Sequence, residues 1–192
     1  IIMVDINGII HSGREDIKAE ENPWLYELAQ KTNSEGREGD ISLAFKDADA
    51  VVAASKPGPD TIKKEWITTM SNDPIVFACA NPIPEIWPED AKKAGACIIA
   101  TGRSDFKNQV NNSLAFPGIF RGVLDVKAKT ITDDMCIAAA YELASFAEER
   151  GMNEDNILPK TEEWEVFPRV AVACALQSIN EGVARIKPSR QD

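Results

Sequence analysis

The chain has 192 residues, 44% of them apolar, and a formal net charge of -10. That length suits one α/β domain or a good-sized piece of a larger protein, and such an acid excess opposes nucleic-acid binding, which wants a clustered basic face. No window of about 18 uninterrupted apolar residues occurs, and positions 1–10 are broken by Asp5 and Asn7 and carry no cleavage signature, so the expectation is an acidic cytoplasmic protein without a membrane partner.

In chain order, apolar runs of strand length stand at 1–4, 50–54, 75–80 and 97–100. Continuous apolar runs predict strands buried on both faces, as in a parallel sheet. Segment 23–32 carries Trp24, Leu25, Leu28 and Ala29 at helical spacing, and 60–70 carries Ile62, Trp66, Ile67 and Met70; a short helix over 88–95 has Gly95 as its stop. Strand, helix, strand, repeated, predicts right-handed crossovers and a doubly wound sheet. Beyond it, Thr132 with Asp133 and Asp134 predicts a capped helix over 135–150 ending at Gly151. Phe167-Pro168 opens a second helix expected to run through Ile186, whose small residues suit packing against the sheet.

In such sheets ligands bind beyond the carboxyl ends of the strands. Asp5 follows the first run, Ser55-Lys56-Pro57-Gly58-Pro59 the second, Asn81-Pro82 the third and Thr101-Gly102-Arg103 the fourth. Asp5 reads two ways. It is either the acid that accepts hydrogen bonds from an adenosine ribose, or an ordinary strand-ending Asp in DINGI, where Asn7-Gly8 is a strong hairpin signal. The stretch 100–122 reads as a site, with Gln109, Asn111 and Asn112 within four positions ahead of an apolar Pro-Gly corner at 116–118. Amides bring donor and acceptor together, which suits a ligand with carboxylate and hydroxyl groups; the plainer account is a turn and helix start using Asn and Ser as caps.

Cys79, Cys97, Cys136 and Cys174 are widely spaced among apolar neighbours, with no CxxC and a single His, so buried reduced thiols are expected rather than zinc or a disulfide framework. His11 sits in the turn-rich HSGR and reads as a solvated loop histidine. Trp24, Trp66, Trp87 and Trp164 read as packing, and the acids at 148–149 and 162–163 as solvated faces.

Three stretches, IIMVDINGIIHSGR, FACANPIPEIWPEDAKKAGACIIATGRSDFKNQVNNSLAFPGIFRGVLDV and KTITDDMCIAAAYELA, resemble the nicotinamide-binding half of prokaryotic malic enzymes over nearly the whole chain. The resemblance implies a Rossmann-like, doubly wound and mainly parallel α/β sheet that lacks its first strand and Gly-rich turn. It implies an enzyme that oxidises L-malate with NAD or NADP and decarboxylates the product to pyruvate and carbon dioxide, using Mg²⁺ or Mn²⁺, as a homodimer or larger. Asn81 and Asn112 match the family's asparagines at substrate and nicotinamide, with Asn111 beside them. Asp5 matches its strand-ending acid, and 54–58, with Ser55, its small-residue turn, where Lys56 departs from the small residue often seen.

The family's catalytic Tyr and Lys, its carboxylate metal ligands and its Gly-rich turn match nothing from Ile1 onward; Tyr26, Tyr141, Lys56 and Lys107 do not fit them. No catalytic residue or metal ligand is therefore expected in this chain. Residues 1–192 are expected to be a partial NAD(P)-binding domain, inactive alone, whose substrate and metal domain lies upstream. In the strand order 3-2-1-4-5-6 the absent strand is central, so a gap is expected between the strands ending at Asp5 and Ser55 and those ending at Asn81 and Thr101. Asp5 favours NAD, while Arg14 is near enough in sequence to offset a 2′-phosphate. The alternatives are another two-domain dehydrogenase of the amino-acid type, or a non-catalytic nucleotide-binding or sensor module.

Overall fold

A computed structural model describes residues 1–187; positions 188–192 of the expected 1–192 domain lie outside the described residues. The first apolar run does not join the parallel sheet. Val4–Asp5 (β1) instead pairs antiparallel with Gly8–Ile9 (β2), Val4 opposite Ile9 and Asp5 opposite Gly8. The turn between them is the reason: Asn7 N–H donates to Asp5 Oδ1 at 2.8 Å, and Gly8 has φ 113°, a left-handed conformation that favours glycine. A Cβ on Gly8 would also stand 2.4 Å from Gly39 O. Backbone acceptors of the first run are used nearby, Met3 O by Ile10 N–H and Ile1 O by Asn33 N–H, both at 2.8 Å.

Helix Pro23–Lys31 (α1) forms as expected, with Asn22 Oδ1 accepting from Leu25 N–H and proline in the first turn. Its Ala29 joins Ile10 and Ile17 in a small core. A five-residue helix, Ile41–Phe45 (α2), which periodicity did not mark, is capped by Asp40.

The parallel sheet consists of Ala50–Ala53 (β3), Ile75–Ala78 (β4) and Ile98–Thr101 (β5) in that order. Ala53, Ala78 and Thr101 stand abreast at its carboxyl edge. The expected gap between the Ser55 and Asn81 strands is absent: β3 and β4 are direct neighbours, and Ala53 O accepts from Cys79 N–H at 2.9 Å. Strand 50–53 pairs with 75–78 rather than with the Asp5 strand, which is spent in its own hairpin. The outer edge of β3 is free among the described residues, and its Val52 is 73% exposed.

The crossover helix expected over 60–70 is reduced to Lys64–Ile67 (α3). Ile62 N–H is committed to Glu85 O at 2.9 Å, and Thr68 and Thr69 hydroxyls donate to backbone carbonyls three residues back, so the segment cannot extend as one helix. Ile62 and Ile67 still bury their side chains with Phe45, Val76, Ala78 and Ile99 in the sheet core. The second crossover, Pro88–Lys93 (α4), ends before Gly95 at φ 107°.

A second core is all-helical, made by Phe116–Asp125 (α5), Asp133–Glu149 (α6) and Val166–Asn180 (α7). Residues 116–118 are the first turn of α5, not a corner, because proline at the start of a helix gives up only an amide that had no partner there. Thr132 Oγ1 caps α6, accepting from Met135 N–H at 3.2 Å. The small residues of α7 pack on α5 and α6 rather than on the sheet, and α7 stops at Asn180, short of Ile186, ahead of Gly182 at φ 73°.

Close helix packing needs two glycines on α5. A Cβ at Gly118 would lie 2.6 Å from Val170 Cβ, and one at Gly122 2.3 Å from Ala171 O. Gly122→Ala is therefore expected to destabilise the fold by about 2 kcal/mol, despite the ~1 kcal/mol that alanine gains in helix propensity. Chemical denaturation measures this, and a neutral or stabilised variant would contradict the packing.

Some side chains depart from expectation. Cys174 is buried but Cys136 is exposed. Trp66 packs on Phe45 at 5.5 Å and Trp87 on Phe106 at 5.9 Å, whereas Trp24 and Trp164 are exposed. Glu149 and Glu163 are not merely solvated: Glu149 pairs with Arg169 and Glu163 with Arg150. No helix of the described residues is long and apolar enough to cross a membrane.

Candidate functional site

Because β3, β4 and β5 run parallel, the loops after them meet at one sheet edge. Their relative position is set by Glu85, which sequence reading passed over. Its side chain is fully buried. Oε1 accepts from Ser55 N–H at 2.8 Å and from Ser55 Oγ at 3.1 Å, while Oε2 accepts from Ala80 N–H at 2.9 Å. One carboxyl group thus holds the loop after β3 to the loop after β4. A carboxylate that takes backbone N–H donors on both oxygens repays part of its desolvation, which makes the burial tolerable. An acid between prolines and apolar residues in NPIPEI was the available signal. Beside it, burial and then the Glu85 charge push the Cys79 thiol up, so this cysteine stays protonated and unreactive.

The loop after β5 is braced in turn. Arg103 donates to Pro82 O at 2.8 Å and pairs with Asp105, tying the third loop to the second. That pairing raises the Arg103 pKa and lowers that of Asp105. Thr101 is buried, Val110 N–H donates to its carbonyl at 2.7 Å, and Gln109 bridges to it as a short parallel extension of the sheet. Asn108, a second residue missed in the sequence, is the buried anchor: its amide donates to Ile99 O and Glu154 O and accepts from Ile157 N–H. Its signal was ambiguous, since it stands in a run of amides that all looked alike.

The sequence-predicted residues are placed as follows. Ser55 is held by Glu85, and Asn81 is exposed, directly after the clamped Ala80. Asn111 caps the single-turn 3-10 helix Asn112–Leu114, its Oδ1 accepting from Ser113 N–H at 2.9 Å, so the capping account holds for this asparagine. Asn112 is exposed, with no hydrogen bond to its side chain among the described residues. Asp5 stands apart from these, in the hairpin sheet. Its Oδ1 accepts from Asn7 N–H and from Arg14 Nη1, each at 2.8 Å. The Arg14 hydrogen bond is the main cause that holds its carboxyl below the usual range.

His11 is not fully solvated. Its Nδ1 accepts from Gly13 N–H at 3.2 Å, and its side chain is 18% exposed. A cleft of about 730 Å³ opens beside the amide loop, lined by Lys107, Gln109, Arg150, Asp155, Lys160 and Glu163 among others. Asp5, Ser55, Asn81, Asn111 and Asn112 do not line it, and two of its cations are already paired, Lys107 with Asp155 and Arg150 with Glu163. Volume alone does not make it the site of chemistry.

Residues 1–179 match the family model described as malic enzyme, NAD binding domain. The chain is 45% identical over 186 residues to the bifunctional malic/malolactic enzyme of Bacillus subtilis, covering 97% of this chain and 44% of that protein. It is 44% identical over 185 residues to the NAD-dependent malic enzyme of Geobacillus stearothermophilus, covering 96% and 37%. The crystal structure of Entamoeba histolytica malic enzyme superposes with a TM-score of 0.92 at 49% identity, over 98% of this chain and 39% of that one. The chain spans less than half the length of these relatives.

Proposed function

Because the chain belongs to the malic enzyme family and its residues 1–179 match the family's NAD-binding domain, we propose that it is the nucleotide-binding part of an enzyme that oxidises L-malate with NAD or NADP and decarboxylates the product to pyruvate and carbon dioxide. The observation that carries this reading is the braced carboxyl edge of the parallel sheet. Glu85 and Arg103 lock three loops into one rigid rim, which is where an α/β sheet holds a ligand.

On this reading Asp5, Ser55 and Asn81 hold the nucleotide, and Asn81, Asn111 and Asn112 the substrate. Asp5 fits a ribose, since Oδ2 has no hydrogen-bond partner among the described residues and is free to accept from a hydroxyl. The bound nucleotide supplies the hydride acceptor. Asn112 presents an amide without a partner among the described residues, able to donate to a carboxylate or keto oxygen and accept from a hydroxyl.

A divalent ion supplies charge stabilisation to the enolate left by loss of carbon dioxide. Among the described residues no group of three or more His, Cys, Asp or Glu could hold one, so these residues by themselves do not fit the ion. Its ligands, with the catalytic acid and base, are proposed to lie in a separate substrate domain, residues 1–192 forming part of the nucleotide domain. A cytoplasmic homodimer or larger is the proposed state of the whole protein, on family grounds alone.

The test is malate-dependent reduction of NAD or NADP by the full-length protein with Mg²⁺ or Mn²⁺, with pyruvate formed in equal amount and no turnover by the 192-residue chain alone. Nucleotide binding without malate turnover would overturn the assigned reaction.

A further inference from the structure

We propose that Asp16 sets the nucleotide preference of this site, by holding Arg14 so that the ribose end of the cleft accepts a free 2′-hydroxyl and rejects a 2′-phosphate. The inference rests on the nucleotide-site reading above and goes beyond it, since that reading leaves NAD and NADP equal.

The sequence offered Arg14 as a cation that could offset Asp5. The structure shows it already spent. Its guanidinium makes a bidentate pair with Asp16, Nε to Oδ1 at 2.9 Å and Nη2 to Oδ2 at 2.5 Å, and gives Nη1 to Asp5 Oδ1 at 2.8 Å. The Arg14 side chain is only 9% exposed. Asn7 completes the arrangement, its backbone N–H on Asp5 Oδ1 and its side-chain amide on Asp16 Oδ2 at 3.2 Å. A planar fork paired this way has its strongest donors committed to carboxylates.

The charges facing the ribose position follow from that geometry. A cleft of about 510 Å³ beside the hairpin is lined by Asn7, His11, Arg14, Asp16 and Glu38, among others. Two carboxylates of that lining, Asp16 and Glu38, stand against one permanent cation, Arg14, whose Nη1 is also bonded to Asp5 just outside it. His11 lies 3.8 Å from Glu38. A 2′-hydroxyl needs one acceptor, and Asp5 Oδ2 has no hydrogen-bond partner among the described residues. A phosphate needs cationic donors and would meet a net negative wall; to recruit Arg14 it must first displace a bidentate carboxylate. Asp16 is thus a positioning residue that works by making the competitor unfavourable, one of the two routes to specificity.

The experiment measures dissociation constants for NAD and NADP in the full-length protein, wild type and Asp16→Asn. Wild type is expected to bind NAD more tightly. Asp16→Asn frees one side of the guanidinium and is expected to lower the ratio Kd(NADP)/Kd(NAD) by about tenfold, the worth of one charge-assisted hydrogen bond. Adding Arg14→Gln to that variant is expected to restore the high ratio, a reversal that a purely structural role for Asp16 would not produce. A wild-type preference for NADP, or a ratio unmoved by Asp16→Asn in a protein that binds NAD, overturns the inference alone. A wild-type protein that binds neither nucleotide overturns the nucleotide-site reading, and the inference with it.

Discussion

Replacing Asn112 by alanine in the full-length protein is expected to lower kcat/KM for malate by about a hundredfold, while nucleotide affinity changes by no more than about threefold. The asymmetry follows from where the side chain stands. Asn112 opens a single-turn 3-10 helix and is exposed, and no backbone or side chain among the described residues uses its amide. Truncation therefore removes no internal hydrogen bond, and stability should stay within about 0.5 kcal/mol. What is lost is a donor and acceptor pair offered outward from a rigid rim, and a positioned donor acts mainly where charge develops in the reaction. Its neighbour, also assigned to the substrate, carries a structural duty besides. Asn111 spends its Oδ1 on Ser113 N–H, so Asn111→Ala should cost about 1 kcal/mol of stability as a lost cap. Steady-state kinetics, nucleotide titration and thermal melts on the two variants decide the matter. Equal and small losses in turnover and nucleotide binding for Asn112→Ala would defeat its substrate role.

Glu85→Ala is expected to cost about 3 kcal/mol of stability and to weaken nucleotide binding with it. Removing the carboxyl group strands Ser55 N–H and Ala80 N–H and leaves an empty volume where a fully buried side chain stood. An unsatisfied buried donor costs about 1–3 kcal/mol, and bonds to a charged group fall at the upper end. Glu85→Gln tests the geometry more finely. Its amide keeps one oxygen, which can serve Ser55 or Ala80 but not both, so roughly half of the loss should remain. Denaturant midpoints and NAD titrations on the same proteins separate the two effects. A Glu85→Ala protein as stable as wild type would mean that the three loops are not held by this residue.

The malic enzyme resemblance was legible because long runs of side-chain identity do not depend on knowing the fold. The parallel strands at 50–53, 75–78 and 98–101 were legible as short, conspicuous apolar runs, but burial follows that pattern only at 75–78 and 98–101; 50–53 is a half-exposed edge strand among the described residues. Helix α1 was readable from the spacing of Trp24, Leu25, Leu28 and Ala29, and α4 and α6 from their ends, where Gly95, Thr132 and Gly151 carry capping or stop chemistry that is local in the sequence.

Where competing local signals met, tertiary contacts chose between them. The 1–4 run could serve a sheet or a hairpin, and the Asn7-Gly8 turn, seated against Gly39, took the hairpin. Segment 60–70 had helical periodicity, yet Ile62 gave its N–H to Glu85 O and only one turn of helix survived. Residues 116–118 looked like a corner until α7 supplied the surface that Gly118 and Gly122 fit.

The candidate site divides in the same way. Residue type alone pointed to Asp5, Ser55, Asn81, Asn111 and Asn112, because polar groups at strand ends and amide clusters are compositional facts. Composition could not tell Asn111, a cap, from Asn112, which faces outward, nor find Glu85 and Asn108, whose partners lie 30 and 46 residues away in sequence. It also could not show that Arg14 was already bound. Sequence by itself determined the family, the parallel sheet and the list of polar candidates, since these follow from side-chain chemistry and short-range pattern. Which carboxylate clamps the loops, which amide caps a helix and which cation is neutralised was decided only by the tertiary structure, because a hydrogen bond belongs to two residues and the chain order names just one of them.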